Sequence, residues 1–335
     1  MLRNYWYVAA TSAELGVQPV ARTLLGENIV LFRTASGSFA ALADICPHRR
    51  APLSMGQVIG ETIACPYHGI QFATSGDCMH IPAQSRIPAN LAARAYHTAE
   101  RYGMLWIWMG DAEPDLEKLP ALPWLEDPAW NADLVQRLYV RAPARLVTNN
   151  LLDLSHVAFV HAKTIAFSAA RLADDPLVVE STGDRIRCTR VFRNVEPPPA
   201  HRVWRDFKGL VDRSSISEWE PPGNVCILVR NEDQDGALDL RFDHFVTPET
   251  DETHYYFVAI SRNFLIDDGE LTKRLDIENA KVHDEDREMV EAQYRTIRAN
   301  PHSQDKNLRQ DQAIARADAI LARLSGEAAN VTSSS

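Results

Sequence analysis

No stretch of this sequence approaches the roughly 18 consecutive apolar residues of a membrane-spanning helix, so no membrane span is expected. Basic residues are in deficit as well. Against 45 Asp and Glu stand 35 Lys and Arg, a formal net charge of −10. Nucleic-acid backbones and anionic membrane surfaces both reward a basic face, and neither is expected as a partner. The opening, Met1 to Ala10, lacks the charged-then-apolar run of a secretory signal, and a cytoplasmic location is the expectation. There is no internal repeat. Cysteine is scarce: Cys46, Cys65, Cys78, Cys188 and Cys226 are too few in 335 residues, and odd in number, for a disulfide framework. In a reducing compartment, cysteines with histidines nearby more often hold a metal.

What is present is the balance of a soluble globular chain, 45% hydrophobic and 24% charged, long enough for one large domain or two. Residues 1–115 read as an all-β domain. Ile29–Phe32, Phe39–Leu42 and Met104–Trp108 are its clearest strands, separated by turn residues such as Ala35-Ser36-Gly37-Ser38 and Tyr102-Gly103. A stretch rich in Pro and acidic residues, Gly110 to Pro128, reads as the linker. Residues 116–325 mix types. Leu146–Val160, Gly269–Ile297 and Leu308–Leu324 have helical apolar patterns, and strand-like runs such as Val225–Val229 and His254–Val258 lie between them. An antiparallel sheet with a long helix packed on it, a helix-grip-like α+β domain, is expected there. Residues 326–335 form an Ala- and Ser-rich tail, expected to be disordered.

Chemistry is densest in two places. The first reads Cys46-Pro47-His48, sixteen residues, then Cys65-Pro66-Tyr67-His68. Two Cys and two His can serve a structural zinc. Here, however, each loop supplies one thiolate and one imidazole. That suits a Rieske [2Fe–2S] centre, in which cysteines hold one iron and two histidines replace cysteines on the other. Pro47, Pro66 and Gly69 suit tight loops around a cluster. Cys78-Met79-His80 repeats the first spacing without a matching second half and reads as structural, as do Cys188 and Cys226.

The second place, Asn149 to His161, contains D-x-x-H-x4-H: Asp153, His156 and His161. Two His and one carboxylate with open positions form the facial triad of non-haem Fe(II) oxygenases. Five residues is about 140° around an ideal helix, so a helix here must be distorted or must end between the two histidines. Taken alone, the pair reads equally as two helix-end histidines; beside the first motif, the iron reading prevails. Asn150, one turn before Asp153, fits either the wall of an iron pocket or ordinary helix packing. A third ligand must come from elsewhere, and the helical stretch Lys281–Glu291 offers five carboxylates.

Cys46-Pro47-His48-Arg49 and Cys65-Pro66-Tyr67-His68-Gly69 resemble the Rieske domain of bacterial aromatic-ring oxygenases. Respiratory-chain Rieske proteins usually carry two further cysteines in these loops, absent here. Arg3–Ala10, Thr247–Thr250 and Ser261–Phe264 resemble vanillate and dicamba O-demethylase oxygenase components. The resemblance implies a cluster on Cys46, His48, Cys65 and His68, and a mononuclear Fe(II) on His156, His161 and Asp286. Asp284, Glu285 and Glu288 are left as solvated helix charges. It also implies that Asp153 bridges a ligand His to the partner subunit's His68, within a head-to-tail homotrimer. His244 falls where the dicamba enzyme uses a His on its substrate, although a lone strand His is as often structural. Arg202, Arg205 and Arg230 are candidates for an anionic substrate, and Arg49 and Arg50 for docking an electron donor.

The implied activity is that of a terminal oxygenase. A separate NADH-linked flavin/iron–sulfur reductase, or a ferredoxin, feeds the cluster. One atom of O₂ enters a small aromatic substrate, most specifically by O-demethylation of a methoxybenzoate-type acid with release of formaldehyde. Methyl or ring hydroxylation of an aromatic carboxylate or sulfonate, and a non-aromatic substrate, stay open. A Rieske electron carrier needs only the first hundred or so residues and gives no reason for Asp153, His156, His161 and Asp286.

Overall fold

The computed structural model describes residues 1–165, 172–173, 175 and 177–326; the tail from 327 lies outside them. The chain divides into two compact units. The first comprises Arg3–Leu119 with Thr247–Asp251, and the second Pro120–Val246 with Glu252 onward.

The first unit is built from antiparallel strands in three small sheets. Tyr5–Thr11 pairs with Met104–Met109, which pairs with Thr98–Arg101. The expected strands are present as Glu27–Arg33, Phe39–Ala43 and Met104–Met109. The two chemistry-bearing loops follow directly from strands. Cys46 comes just after Phe39–Ala43, and Cys65 joins Thr62–Ala64 to Gln71–Ala73. Thr247–Asp251 is part of this unit because Thr247 Oγ1 donates to the Val8 carbonyl at 2.8 Å and Leu25 N to the Pro248 carbonyl at 2.9 Å.

The second unit centres on a seven-stranded sheet. Its spatial order is Asn131–Val140, His254–Arg262, Gly236–Pro248, Asn224–Asp233, Val211–Glu220, Arg185–Val195 and Val178–Thr182. The pairings are antiparallel, as between Val211–Glu220 and Asn224–Asp233. Helices α1 (Ala144–Leu152), α2 (Pro199–Trp204), α3 (Gly269–Ala299) and α4 (Gln312–Leu324) complete it. No described helix is long and apolar enough to cross a membrane. The core draws Leu146, Val147 and Leu151 from α1, Val290 from α3, and Val225, Tyr256 and Val258 from the sheet.

Two helices differ from the sequence reading. The helical pattern over Leu146–Val160 stops at Leu152. The Asp153 carboxylate accepts the Ser155 N–H at 3.0 Å, and the chain continues as a 3-10 turn over Leu154–Ala158. A short polar side chain that offers the backbone an alternative partner ends a helix in this way. The α-helix therefore ends before both histidines, and the 3-10 turn that carries His156 supplies the distortion that their spacing requires. The pattern over Leu308–Leu324 opens as a 3-10 turn at Arg309–Asp311 before α4.

The long helix α3 starts at Asp268, whose carboxylate accepts from both Glu270 N and Leu271 N. Its buried residues, Leu271, Leu275, Asn279, His283, Asp286 and Val290, recur every three or four positions and form one stripe. The stripe is apolar at both ends and polar in the middle. Asp268→Ala removes two hydrogen bonds at this cap and is expected to cost about 1 kcal/mol of stability. Asp268→Asn should keep most of it. Chemical denaturation of the two variants side by side checks this.

Candidate functional site

Each loop of the first unit is a tight turn closed on its cysteine. The Cys46 carbonyl accepts Arg50 N at 2.8 Å and the Cys65 carbonyl accepts Gly69 N at 3.0 Å. The fourth residue after each cysteine takes a left-handed backbone, Arg50 at φ 64° and Gly69 at φ 69°. At Gly69 an added Cβ would also lie 3.1 Å from Pro82 Cγ, so glycine serves there twice.

The turns bring the four side chains together with a polarity. Cys46 and Cys65 are buried in a core with Leu42, Leu53, Ile63 and Phe72, whereas His48 and His68 are exposed, their ring centroids 4.7 Å apart. Burial raises the Cys46 thiol pKa, and the neighbouring Cys65 sulfur raises it further, against backbone N–H groups of His48 and Arg49 aimed at its sulfur. Two adjacent inner thiols and two adjacent outer imidazoles are the donor set of a Rieske cluster, with one iron on sulfur and one on nitrogen. Cys78 instead packs in that core within the strand Cys78–His80.

In the second unit His156, His161 and Asp286 each offer a ligand atom, all within 4.8 Å of one another. His161 Nε2 lies 3.1 Å, and His156 Nε2 3.4 Å, from Asp286 Oδ1. The outer nitrogens are both taken. His156 Nδ1 donates to the Asp153 carbonyl at 2.7 Å, and His161 Nδ1 to Glu285 Oε2 at 2.7 Å. Each ring is thereby fixed with Nε2 toward the centre, the tautomer a metal needs. Asn150 Nδ2 donates to Asp286 Oδ1 at 3.0 Å and holds that carboxylate in place. Burial opposes charge at both His161 and Asp286. Their mutual attraction, with Glu285 adding to it, outweighs burial, so the imidazole pKa is raised and the Asp286 carboxyl lowered. The carboxylates thus favour positive charge at the group.

These residues open on a cavity of about 120 Å³. Leu154, Val157, Ile227, Val229 and Phe242 give it apolar walls. His244 and His283 also line it, and burial pushes both well below the usual imidazole range, His283 to about 4. His244 Nδ1 meets the Tyr256 hydroxyl at 2.7 Å, and its Nε2 has no hydrogen-bond partner among the described residues.

The structure thus gathers His156, His161, Asp286 and Asn150 at one point and puts His244 in the same cavity. Asp153 contributes its backbone carbonyl to His156, while its carboxylate caps the turn. Glu285 differs from the sequence reading. Instead of standing in solvent it supports His161, and Thr164 Oγ1 also donates to it at 2.8 Å. Asp284 is indeed a surface charge, paired with Arg287 at 2.9 Å, and Glu288 is exposed. Arg202, Arg205 and Arg230 do not line the cavity. Arg202 pairs with Glu196, Arg205 with Asp233 at 3.4 Å, and Arg230 holds Asp239 through two bonds of 2.7 and 2.6 Å. The arginine that does line it, Arg213, carried no motif in the sequence.

A cluster-binding β domain followed by a helix-and-sheet domain with a two-histidine, one-carboxylate group defines the Rieske non-haem iron oxygenases. Residues 5–93 match the Rieske [2Fe-2S] domain and residues 140–327 the vanillate O-demethylase oxygenase C-terminal domain, and the chain belongs to that family. It is 35% identical to a putative toluene-4-sulfonate monooxygenase system iron-sulfur subunit of Comamonas testosteroni, over 90% of each chain. It is 33% identical to a vanillate O-demethylase oxygenase subunit of a Pseudomonas strain, over 90% of this chain and 88% of that one. The crystal structure of dicamba monooxygenase bound to 3,6-dichlorosalicylic acid superposes with a TM-score of 0.90 at 31% identity, covering 98% of this chain and 99% of that one. Another structure of that enzyme contains non-haem iron with dicamba. The first of these relatives is named as a subunit of a monooxygenase system and the second as an oxygenase subunit.

Glu285→Ala leaves every metal-directed atom in place but frees His161 Nδ1. Metal affinity at the His156–His161–Asp286 group is expected to fall roughly 10- to 100-fold. Competition between the protein and a chromophoric chelator for Co(II) measures it, and unchanged affinity would show that Glu285 does not support the ring.

Proposed function

We propose that this chain is the terminal oxygenase of a multicomponent system that O-demethylates a methoxybenzoate-type acid. The observation that carries the reading is that the His156–His161–Asp286 group faces an apolar cavity, in a chain that also holds the cluster loops. When bound, a mononuclear Fe(II) supplies O₂ activation and the [2Fe–2S] cluster supplies single electrons that originate from NADH through a reductase or ferredoxin. The balance is one methoxyarene, O₂, NADH and H⁺ giving a phenol, formaldehyde, water and NAD⁺. One oxygen atom enters a methyl C–H bond, and the resulting hemiacetal collapses.

The chain's own residues do four things in this reading. His156, His161 and Asp286 hold the metal, with Asp153, Glu285 and Asn150 fixing their orientation. Apolar walls exclude water from the reacting carbon. With the Tyr256 phenol donating to Nδ1, His244 presents Nε2–H as a hydrogen-bond donor for a substrate oxygen. In a head-to-tail homotrimer, Asp153 links its iron to the partner subunit's His68, which gives electrons a short path between unlike centres. A second reading, hydroxylation of a methyl group on an aromatic sulfonate, is favoured by the similarity to the toluene-4-sulfonate monooxygenase subunit.

Purified, iron-loaded protein with a surrogate reductase, NADH and O₂ is expected to release one formaldehyde per NADH from a methoxybenzoate. A hydroxymethyl product from 4-methylbenzenesulfonate, without formaldehyde from methoxy acids, would select the second reading. His156→Ala should lose the mononuclear iron and keep the visible Rieske spectrum; loss of both centres would refute two separate sites. Asp153→Asn should keep both centres yet lower turnover at least tenfold, on the order of other losses of residues that orient metal ligands. Ordinary turnover would exclude the bridging role.

A further inference from the structure

The cavity wall opposite the helices is one face of the sheet, and its register fixes which side chains share that face. Arg213, Ser215 and Ser217 alternate along one strand and pair with Asn231, Val229 and Ile227 on the next. Ile227 in turn pairs with Phe242, and Val225 with His244. Ser217 Oγ donates to the Leu151 carbonyl at 2.8 Å, in the last turn of α1, just before the segment that carries the histidines. Arg213 stands four residues from Ser217, about 13 Å along a strand. The register thus places Arg213 toward the end of the cavity away from His244.

Charge singles out the same residue. Among the described residues that line the cavity, Arg213 and Asp286 are the only Asp, Glu, Lys or Arg. Asp286 is spent on the histidines and the metal. Burial pushes the pKa of His244 and of His283 down, against a charge on either ring. An anion entering apolar surroundings gives up its hydration and needs a fixed cation with hydrogen-bond donors in return. Guanidinium meets carboxylate or sulfonate oxygens with two parallel N–H donors and keeps its charge when buried.

We infer that Arg213 is the specificity residue that binds the carboxylate or sulfonate of the substrate, at the end of the cavity away from His244. This rests on the reading of the cavity as the substrate site. It places the acid group at the Arg213 end of the cavity and leaves His244 to a second, uncharged oxygen.

The test is calorimetric binding to the iron-loaded protein of two matched pairs. These are 4-methoxybenzoate against 4-methoxybenzamide, and 4-methylbenzenesulfonate against its sulfonamide. The wild-type protein should prefer at least one anion over its neutral partner by roughly tenfold or more. Arg213→Met should weaken that anion roughly 10- to 100-fold, the usual worth of a charge-assisted hydrogen bond, and leave the amide within about twofold. Arg213→Lys should retain part of the preference, which a purely structural role would not predict. Binding of neither anion by the wild type, the absence of any anion preference, or an equal loss of anion and amide in Arg213→Met would overturn the assignment. Formaldehyde is read separately: its absence with the anion preference intact refutes O-demethylation and not Arg213.

Discussion

A single carboxylate oxygen, Asp286 Oδ1, gathers the catalytic unit. His161, His156 and Asn150 all point a nitrogen at it, from a segment more than 120 residues earlier in the chain. Such convergence needs α1 and the following turn to lie against α3, and each has a feature that serves this. The buried stripe of α3 becomes polar at Asn279, His283 and Asp286, where apolar residues would fill the cavity. The α1 helix stops at Asp153. Had it run on, residues five apart would have diverged by about 140° and only one imidazole could have faced Asp286. The cost of burying the carboxylate is offset by the rings and the amide on it, and the lowered pKa of Asp286 reflects that balance.

The first unit solves a different problem with similar donors. Its thiols lie inside and its imidazoles outside, so the hydrophobic core shields the sulfur-ligated side of a cluster. The imidazole edge is the exposed side of the pair of loops. Tyr67, 64% exposed, lies against His68 with ring centroids 4.0 Å apart and adds to that exposed edge. The mononuclear group is the inverse. His161 is 1% exposed, its outer nitrogen is tied to Glu285, and what it faces is an apolar-walled cavity.

How much of this the sequence discloses depends on whether a feature is local. Cys46, His48, Cys65 and His68 were legible because each loop carries its own Cys–His spacing and turn residues. The strand Met104–Met109 and the helix α3 were legible from uninterrupted patterns. The end of α1 was not, since its apolar periodicity continues past Asp153 and only the side-chain cap on Ser155 stops it. Glu285 looked like its neighbours Asp284 and Glu288. One position of rotation, about 100° on a helix, separates a support for His161 from a surface charge. Arg213 is the hardest case. Its place on the cavity comes from strand register, which is not written in the residues around it.

The helices and the sheet divide the work of the catalytic unit. Metal-directed atoms come from α3 and from the turn after α1, whereas most of the remaining cavity wall comes from alternate positions on strands. Because strand side chains alternate faces, a change at Arg213, Ser215 or Phe242 alters the shape and charge of the cavity and leaves the ligand geometry untouched. The carbon held nearest the metal is then set by the sheet, and the reaction at that carbon by the helices. Demethylation, methyl hydroxylation and ring hydroxylation are, on this scaffold, one chemistry applied to differently held substrates. A cation fixed at one end of the cavity is an economical way to choose among them, since it grips an end of the molecule that does not react.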